Sequence, residues 1–304
     1  MTIARAAALA PVVIGAAAWF RHLDTSSFAT PPIWFTKPWE RLTYPWFTDA
    51  AFGGLRGPVE FIVLGALLAW VLAGVWQARR ELRASVDVPL LVCASIFLGA
   101  AILLPTKYEN TIQFDTRWVA PAFVLILLGA PSPRFPRPTL ALAAPLALVG
   151  VFTLSTALAW SAFETRDLSG LRESLDALPP GQRVLGLEYL IESPIVKGRP
   201  FIQTFAYAQV VKGASLNFSF AQFVPMPVIY ARPPQQPWTS ALEWRADWVK
   251  ASDFQYFDYV IVGGDEEAQQ AYSMTPLLEP VTVSGKWRLY AVRRPPGSDG
   301  SPVR

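Results

Sequence analysis

Residues 58–76 read PVEFIVLGALLAWVLAGVW, and residues 86–104 read VDVPLLVCASIFLGAAILL; these two apolar stretches decide the fold class. A helix that crosses a bilayer needs roughly 20 apolar residues, because each residue adds about 1.5 Å against a hydrocarbon core of about 30 Å. Both stretches are close to this length, and residues 138–161 form a third stretch that exceeds it. The three runs predict an integral membrane protein.

Two further segments bring the predicted number of membrane spans to five. Residues 3–20 carry an early arginine followed by a long apolar run, which predicts a first span with a cytoplasmic N-terminus. A cleaved signal peptide is the alternative there, since three consecutive alanines at 16–18 resemble a cleavage site. Residues 114–130 are less apolar at their start, and a re-entrant segment is the alternative to a short span.

The arginines in the loops decide between these alternatives for residues 114–130. Positively charged residues gather in the cytoplasmic loops of membrane proteins. If the arginines after the second span and those after the short segment all lie on that side, the short segment must cross the bilayer: Arg79, Arg80, Arg83, Arg134 and Arg137. The second half of the chain then lies on the opposite side, as in a protein of the bacterial inner membrane.

The composition changes near residue 161 and predicts two parts. Residues 1–161 are predicted to form an all-α membrane bundle of about five transmembrane helices, with an aromatic outer loop at 21–57. Residues 162–293 interleave charged and apolar residues and are predicted to form a small extracytoplasmic α/β domain. Residues 294–304, rich in Pro, Gly and Ser, are predicted to be a disordered tail.

Elements of the α/β domain are visible as local patterns. Runs of β-branched and aromatic residues predict two strands and a hairpin that turns at Ser284-Gly285: QRVLGLEY (182–189), FDYVIVGG (257–264) and PVTVSGKWRLYAV (280–292). Helical spacing predicts three helices: DLSGLRESLDAL (167–178), TSALEWRADWVKA (239–251) and DEEAQQAY (265–272). Residues 193–237 show no clear elements, which is typical of a functional segment or of one packed against another part of the protein.

Composition excludes several classes of function. Hydrophobic residues make up 52% of the chain and the mean hydropathy is +0.30, too apolar for an ordinary soluble domain. The net charge is +3, but the basic residues form no stripe of the kind that follows nucleic-acid phosphates, so no nucleic-acid partner is predicted. One His and one Cys cannot form a zinc site of the usual type or a disulfide. No cofactor is predicted, although a divalent metal is left open.

A short outer loop carries the most informative group of polar residues. The sequence TKYENTIQFDTRW at 106–118 places charged side chains between two apolar segments, where charge is costly unless it is solvated or paired. Arg117 is predicted to bind a lipid phosphate bidentately, with Lys107 as an additional point charge. Three neighbours are predicted to support them: Tyr108, Glu109 and Asp115. In the alternative, Arg117 and Asp115 pair with each other and only anchor the helix.

The same region resembles a known family. In FDTRWVAPAFVLILL (114–128), an Arg-aromatic pair is followed by a proline at the start of a helix: Arg117, Trp118 and Pro121. This run is similar to the R-[FY]-x-x-P element of polyprenol-dependent glycosyltransferases of the C superfamily. The order of outer loops, late spans and a C-terminal extracytoplasmic domain is also similar, over about residues 58–293. The resemblance implies transfer of a sugar from a polyprenyl-phosphate donor on the outer face.

The chain departs from that family in its acidic residues and in its size. Such enzymes carry an acidic catalytic residue in the first outer loop of a bundle of roughly a dozen helices. Here that loop offers isolated acids, of which Asp24, beside His22, is the best placed to act as a general base; a structural loop residue is the alternative. We therefore expect a shortened relative or the C-terminal part of a longer enzyme.

Two functions follow as hypotheses. The first is a membrane glycosyltransferase-like protein, with membrane lipid, a polyprenyl-phosphate sugar and a partner subunit or missing N-terminal portion as partners. The second is a non-catalytic, membrane-anchored envelope protein whose soluble domain binds a partner. No Walker loop, G-x-S-x-G, H-E-x-x-H or G-x-G-x-x-G motif is present to suggest another chemistry. Gly263-Gly264-Asp265 matches a nucleotide-binding turn only weakly, and a simple strand end is the more common meaning of such a turn.

Overall fold

The helices of the first half differ in length more than the sequence suggests. The computed structural model describes residues 33–108, 111–219 and 236–294, together with the isolated positions 14, 15, 18 and 231. Within these residues the first half forms six α-helices: α1 (Tyr44–Ala51), α2 (Val59–Ala78), α3 (Leu82–Ser85), α4 (Val88–Leu103), α5 (Val119–Gly129) and α6 (Pro138–Arg166). Most of the predicted span at 3–20 and of the tail at 294–304 lies outside the described residues.

The prediction of an all-α membrane bundle of about five spans is wrong. Among the described residues, only α2, with 20 residues, and α6, with 29, are long and apolar enough to cross a membrane. Their apolar surface is not covered by the rest of the described chain: no residue in the apolar window of α6 is buried, and 22% of that of α2. The chain as a whole has a mixed α/β fold.

Prolines explain why the other two apolar runs make shorter helices. A residue before proline is pushed out of the helical region by steric clash with the proline ring. Leu104, before Pro105, and Ala130, before Pro131, both have extended backbone with ψ near 156° and 149°. These residues end α4 after 16 residues and α5 after 11. The predicted spans at 86–104 and 114–130 are therefore two short apolar helices.

The two short helices form a hairpin beside the long ones. The backbone N–H of Asp87, before α4, donates to the carbonyl of Gly129 at the end of α5, at 3.0 Å. The N–H of Arg134 donates to Gln77 Oε1 near the end of α2. The end of α2, the start of α4 and the end of α5 consequently meet at one end of the helical region, which we call the arginine end because its loops carry Arg79, Arg80, Arg83, Arg134 and Arg137.

The described residues of the second half form a five-stranded sheet in the order β4-β3-β5-β7-β6. Its strands are β3 (Arg183–Glu188), β4 (Ser215–Leu216), β5 (Tyr259–Gly263), β6 (Leu278–Thr282) and β7 (Trp287–Val292); β1 (Lys107–Tyr108) and β2 (Thr111–Ile112) form a separate ribbon. Strand β3 runs parallel to β4 and β5, whereas β7 is antiparallel to β5 and β6. The described chain between the strands of the sheet and directly before β3 forms three α-helices: α7 (Leu171–Ala177), α8 (Tyr207–Lys212) and α9 (Glu266–Ser273).

Alternating side chains give the sheet a buried core on each face. Successive residues of a strand point to opposite faces. Val184 of β3 and Ile261 of β5 accordingly join the cluster around Phe205 and Trp287. Their neighbours join the cluster around Phe254 and Tyr290 on the other face: Leu185, Leu187, Val260 and Val262. The sheet is therefore covered on both sides, which agrees with the continuous apolar character of β5.

Most of the predicted elements of this domain are confirmed, with one clear exception. Strands β3 and β5, helices α7 and α9, and the β6–β7 hairpin lie where the sequence predicts them, and Gly285 in the hairpin loop has the positive φ of 65° that glycine favours. The predicted helix at 239–251 is wrong, because Ala241 adopts a left-handed conformation with φ 65°. The buried carboxylate of Asp253 accepts the N–H groups of Thr239 and Lys250 and holds this segment as a loop.

Candidate functional site

The predicted phosphate-binding loop is ordered, but its basic residues are not joined. Arg117 is exposed in a 3-10 turn at Thr116–Trp118, and it forms no ion pair within the described part of the chain. Lys107 is half-buried in β1, and its neighbour Tyr108 is exposed. No hydrogen bond or ion pair between described residues connects Arg117 with Lys107. Glu109, like the predicted base Asp24 and its neighbour His22, lies outside the described residues.

Asp115 pairs with Arg41 and not with Arg117. Both side chains are almost fully buried, and Arg41 Nε lies 3.4 Å from Asp115 Oδ2. Thr106 Oγ1 donates to the same carboxylate oxygen at 3.0 Å and accepts from Arg41 Nη2 at 3.1 Å. A buried ion pair needs such additional hydrogen bonds to offset the loss of hydration. Asp115 therefore has a structural role, and this role does not require Arg117.

Arg41 also caps the C-terminus of α4. Its Nη1 donates to the carbonyls of Ala101, Ile102 and Leu104 at 2.9, 2.9 and 2.6 Å. The last carbonyls of a helix have no partner within the helix and carry its negative dipole end, so a guanidinium satisfies both their hydrogen bonds and their charge. The Arg41–Asp115 pair thus ties the chain before α1 to the loop between α4 and α5.

A second charge cluster joins the helical region to the α/β domain. Glu60, in the first turn of α2, is buried, and its Oε1 accepts the N–H groups of Gly54 and Leu55 at 3.0 and 2.7 Å. Lys197 Nζ donates to Glu60 Oε2 at 2.9 Å and to Asp49 Oδ1 at 2.6 Å. Burial acts to lower the pKa of Lys197, but the hydrogen bonds to Asp49 and Glu60 outweigh it and raise this pKa.

Backbone pairing extends this junction. Leu55 and Val196 form an antiparallel bridge, and the N–H of Arg56 donates to the carbonyl of Ile195 at 2.9 Å. The N–H of Lys197 donates in return to the carbonyl of Gly54 at 3.0 Å. Residues 193–197 belong to the stretch without clear elements in the sequence, and they pack against the helical region. The α/β domain is therefore attached at the end of α2 opposite to the arginine end.

A cavity of about 340 Å³ lies at the carboxyl ends of the parallel strands. Glu188 at the end of β3 is paired in register with Gly263 at the end of β5. From β3 the chain passes to β4 on one side and then to β5 on the other, so the two strands enclose a topological switch point, where open α/β sheets bind ligands. The cavity, which we call the carboxyl-end pocket, is lined by Glu188, Tyr189, Leu190, Ile191, Arg199, Ile202, Glu243, Trp244, Arg245, Ala246 and Asp247.

Glu188 is the most unusual titratable group of this pocket. Its Oε2 accepts the N–H of Gln203 at 2.8 Å, whereas its Oε1 is buried and has no hydrogen bond of good geometry among the described residues. Burial raises the pKa of Glu188 to about 8, although the hydrogen bonds from Gln203 and Thr204 and the charge of Arg199 act in the opposite direction. At neutral pH its carboxyl group is mostly protonated, so it can both donate and accept a hydrogen bond.

The rest of the pocket wall is held by its own contacts. Tyr189 donates its hydroxyl to the carbonyl of Ala246 at 2.9 Å and shares a hydrogen bond of 2.6 Å with the hydroxyl of Tyr272. Arg245 and Asp247 form an exposed ion pair at 2.9 Å. Arg199 is exposed and forms no ion pair with a described residue, which makes it the cation of this wall that remains available to a ligand.

Sequence reasoning missed this pocket. An acid at the end of a predicted strand and a Gly-Gly-Asp turn at the end of another were the available signals, but only the sheet order brings them together. Asp265 of that turn caps α9, since its Oδ1 accepts the N–H of Ala268 at 3.0 Å. The turn therefore starts a helix, and the structure gives it no other contact that would mark a nucleotide site.

Neither a metal cluster among the described residues nor a match to a known protein indicates the chemistry of the candidate sites. Among the described residues, no three His, Cys, Asp or Glu side chains lie close enough together to hold a metal ion. Comparisons with protein-family models, with curated proteins and with solved structures found no match for this chain.

Proposed function

We propose that this chain is a membrane-anchored, glycosyltransferase-like protein that handles a polyprenyl-phosphate sugar at the non-cytoplasmic face of a bacterial membrane. The observation that carries the proposal is the exposed Arg117 on a loop that the buried Arg41–Asp115 pair holds in place. A guanidinium that forms no ion pair with another described residue and lies beside apolar helices is suited to bind a lipid phosphate with two parallel hydrogen bonds.

The distribution of charge supports the proposed orientation. The loops at the arginine end contain five arginines, a pattern that marks the cytoplasmic side of membrane proteins. The α/β domain is attached at the opposite end, through Lys197 and Glu60. The short α4–α5 hairpin starts and ends at the arginine end, so it does not change the side on which α6 begins. In this orientation the α/β domain lies on the non-cytoplasmic side. The 106–118 loop lies at the same end of the helical region, because Asp115 pairs with Arg41 before α1 and Asp49 of α1 pairs with Lys197 of the junction.

The second candidate, a non-catalytic envelope protein, is favoured by a different observation. Two of the acids near the predicted phosphate loop and the junction, Asp115 and Glu60, are buried in ion pairs with Arg41 and Lys197. A carboxylate that already neutralises a buried cation is a poor general base, because protonation would leave that cation uncompensated. If no other carboxylate serves as the base, the protein would bind a lipid-linked sugar or a partner without transferring the sugar.

The test measures lipid binding and transfer separately. Full-length protein in nanodiscs is supplied with a radiolabelled polyprenyl-phosphate sugar, and bound and transferred label are counted. We expect Arg117→Ala to weaken binding by about tenfold, the equivalent of one charge-assisted contact. Arg83→Ala, an exposed arginine at the opposite end, is the matched control and should bind like the wild type. A wild type that binds no such lipid would refute the proposal, and binding without transfer would favour the second candidate.

A further inference from the structure

We infer that the carboxyl-end pocket binds a single sugar ring, with Trp244 stacked against the ring and with Glu188 and Arg199 bound to its hydroxyl groups. This inference deepens the proposed function, because a lipid-linked donor or its acceptor would supply such a ring. It rests on the proposed function only for that source of the sugar. The pocket itself is formed by the α/β domain and needs neither Arg117 nor the phosphate.

The volume and position of the pocket fit a small ligand. A cavity of about 340 Å³ is at the lower end of the range for small-molecule sites, which run from about 300 to 1,000 Å³. It lies at the switch point between β3 and β5, the place where sheets of this kind bind ligands. The ligand expected here is therefore one ring with its substituents, and not an extended chain.

The charges of the pocket favour a hydroxyl-rich ligand over a polyanionic one. Three acids and two arginines line it, and one of the arginines, Arg245, is already paired with Asp247. A nucleotide or a diphosphate would bring several negative charges close to Glu243 and Asp247, which repel it. Hydroxyl groups can instead donate to carboxylates and accept from a guanidinium, so they suit both kinds of side chain.

Glu188 has an unused hydrogen-bonding position for such a hydroxyl group. Its buried Oε1 has no proper partner among the described residues, and a buried polar atom in this state costs free energy until a partner arrives. A ligand hydroxyl would supply that partner if the carboxyl group turned toward the cavity, because Oε1 is closed to solvent in this conformation. Because burial keeps the carboxyl group mostly neutral below about pH 8, the hydroxyl is not required to neutralise a charge.

Apolar side chains supply the surface for the face of the ring. Trp244 is 47% exposed, and Phe218 packs against it edge-on with ring centroids 6.3 Å apart. Ile191 and Ile202 are also exposed in the pocket wall. The C–H groups on one face of a sugar ring pack on an indole, while its hydroxyl groups point outward to polar partners. The pocket wall thus combines an exposed aromatic ring with acidic and basic side chains.

The pocket also lies next to the junction with the helical region. Ile191 of the pocket wall is followed by Glu192, whose Oε2 lies 3.1 Å from Nη2 of Arg56. Arg56 lies two residues before Pro58, the N-cap of the long helix α2. Arg199 lies two residues after Lys197, which binds Glu60 of the helical region. The pocket wall is therefore continuous in sequence with the segment that contacts the helical region.

The experiment titrates full-length protein in nanodiscs with free glucose, galactose, mannose, arabinose and N-acetylglucosamine, and follows binding by saturation-transfer NMR. We expect at least one of these sugars to bind with a Kd of about 1 mM, as is usual for a single small contact surface. Trp244→Ala should weaken this binding by about tenfold. Trp248→Ala is the matched control, since Trp248 is also 47% exposed but does not line the pocket, and it should leave the Kd unchanged.

Two variants of Glu188 separate its roles. Glu188→Gln keeps a neutral group of the same shape and should retain binding, whereas Glu188→Ala should lose it. Below about pH 8, where Glu188 keeps its proton, the affinity of Glu188→Gln should equal that of the wild type. Thermal unfolding of each variant shows that the domain remains folded.

The outcomes also distinguish this inference from the proposed function. The inference is overturned if no sugar of the panel binds the wild type at up to about 100 mM, or if Trp244→Ala and Trp248→Ala weaken binding equally. If free sugars bind but Arg117→Ala has no effect on binding of the polyprenyl-phosphate sugar, the proposed function fails and the sugar pocket stands. If the lipid binds through Arg117 and no sugar enters the pocket, the inference about the pocket fails and the proposed function stands.

Discussion

Asp115 and Glu188 are both acidic side chains withdrawn from water, but their surroundings differ. Asp115 lies against Arg41 and accepts a further hydrogen bond from Thr106, so its charge is compensated. Glu188 accepts a backbone N–H with one oxygen and leaves the other without a proper partner, at the wall of a cavity. Burial of a compensated acid holds elements of the chain together, whereas burial of an uncompensated acid leaves a group that a ligand can complete.

The largest effect is expected from removing the cation that compensates Asp115. Arg41→Met leaves the buried Asp115 without its counter-charge and the last carbonyls of α4 without their cap, which should cost about 3–5 kcal/mol of unfolding free energy. The measurement is thermal and chemical unfolding of the full-length protein in detergent micelles, compared with the wild type. The loss should be visible as a lower transition temperature.

A double variant tests the reason for this loss. Adding Asp115→Asn to Arg41→Met removes the uncompensated charge and should recover part of the lost free energy. Arg83→Met, at an exposed position with no ion pair among the described residues, should change stability by less than about 0.5 kcal/mol. If Arg41→Met is as mild as Arg83→Met, Asp115 and Arg41 do not act as the structural pair described above.

Helices and strands that correspond to apolar or β-branched runs are predicted well from the sequence, because such runs depend only on neighbours along the chain. Helices α2 and α6 and strands β3 and β5 follow directly from such runs. The lengths of α4 and α5 do not, since a single proline after each run ends the helix short of the roughly 20 residues of a typical span. A count of apolar residues overestimates helix length wherever the run ends at a proline.

The contacts of the candidate sites depend on partners that are distant in sequence. Nothing near Asp115 in the chain points to Arg41, and the local prediction paired Asp115 with Arg117 as one alternative. The helix predicted at 239–251 is overridden by Asp253, whose carboxylate binds the N–H groups at both ends of the segment. Glu188 becomes a site residue only through the strand order, which places the end of β3 beside the end of β5.

A moderate effect is expected at the junction, where the compensated acid Glu60 joins the two halves of the chain. Lys197→Met removes the donor to Glu60 and Asp49 and should cost about 1.5–3 kcal/mol, the range for hydrogen bonds that involve charged groups. Hydrogen exchange should then increase at residues 53–56 and 192–197, where the backbone pairing of the junction lies. The core strands β3 and β5 should keep their protection.

A neighbouring ion pair provides the control for the junction. Arg56 and Glu192 are both substantially exposed, so Arg56→Ala should cost less than about 1 kcal/mol. Equal effects of Lys197→Met and Arg56→Ala would show that burial of Glu60 adds nothing to the junction. The contrast between compensated and uncompensated acids would then fail at this site.

At Glu188 the expected effect is a dependence of stability on pH, and its direction is opposite to that of a paired acid. The folded protein keeps the proton of Glu188 up to about pH 8, whereas the unfolded chain releases it near the ordinary glutamate pKa of 4.5. Between these values the folded state binds more protons, so its unfolding free energy falls as the pH rises, by at most about 1.4 kcal/mol per pH unit, and this fall ends above the folded pKa.

Glu188→Gln should remove this slope. Glu192→Gln, which replaces an exposed acid 71% accessible at its side chain, should leave the slope unchanged. Unfolding measured in detergent at several pH values checks both; a slope that persists in Glu188→Gln would mean that Glu188 is not the uncompensated acid of this domain.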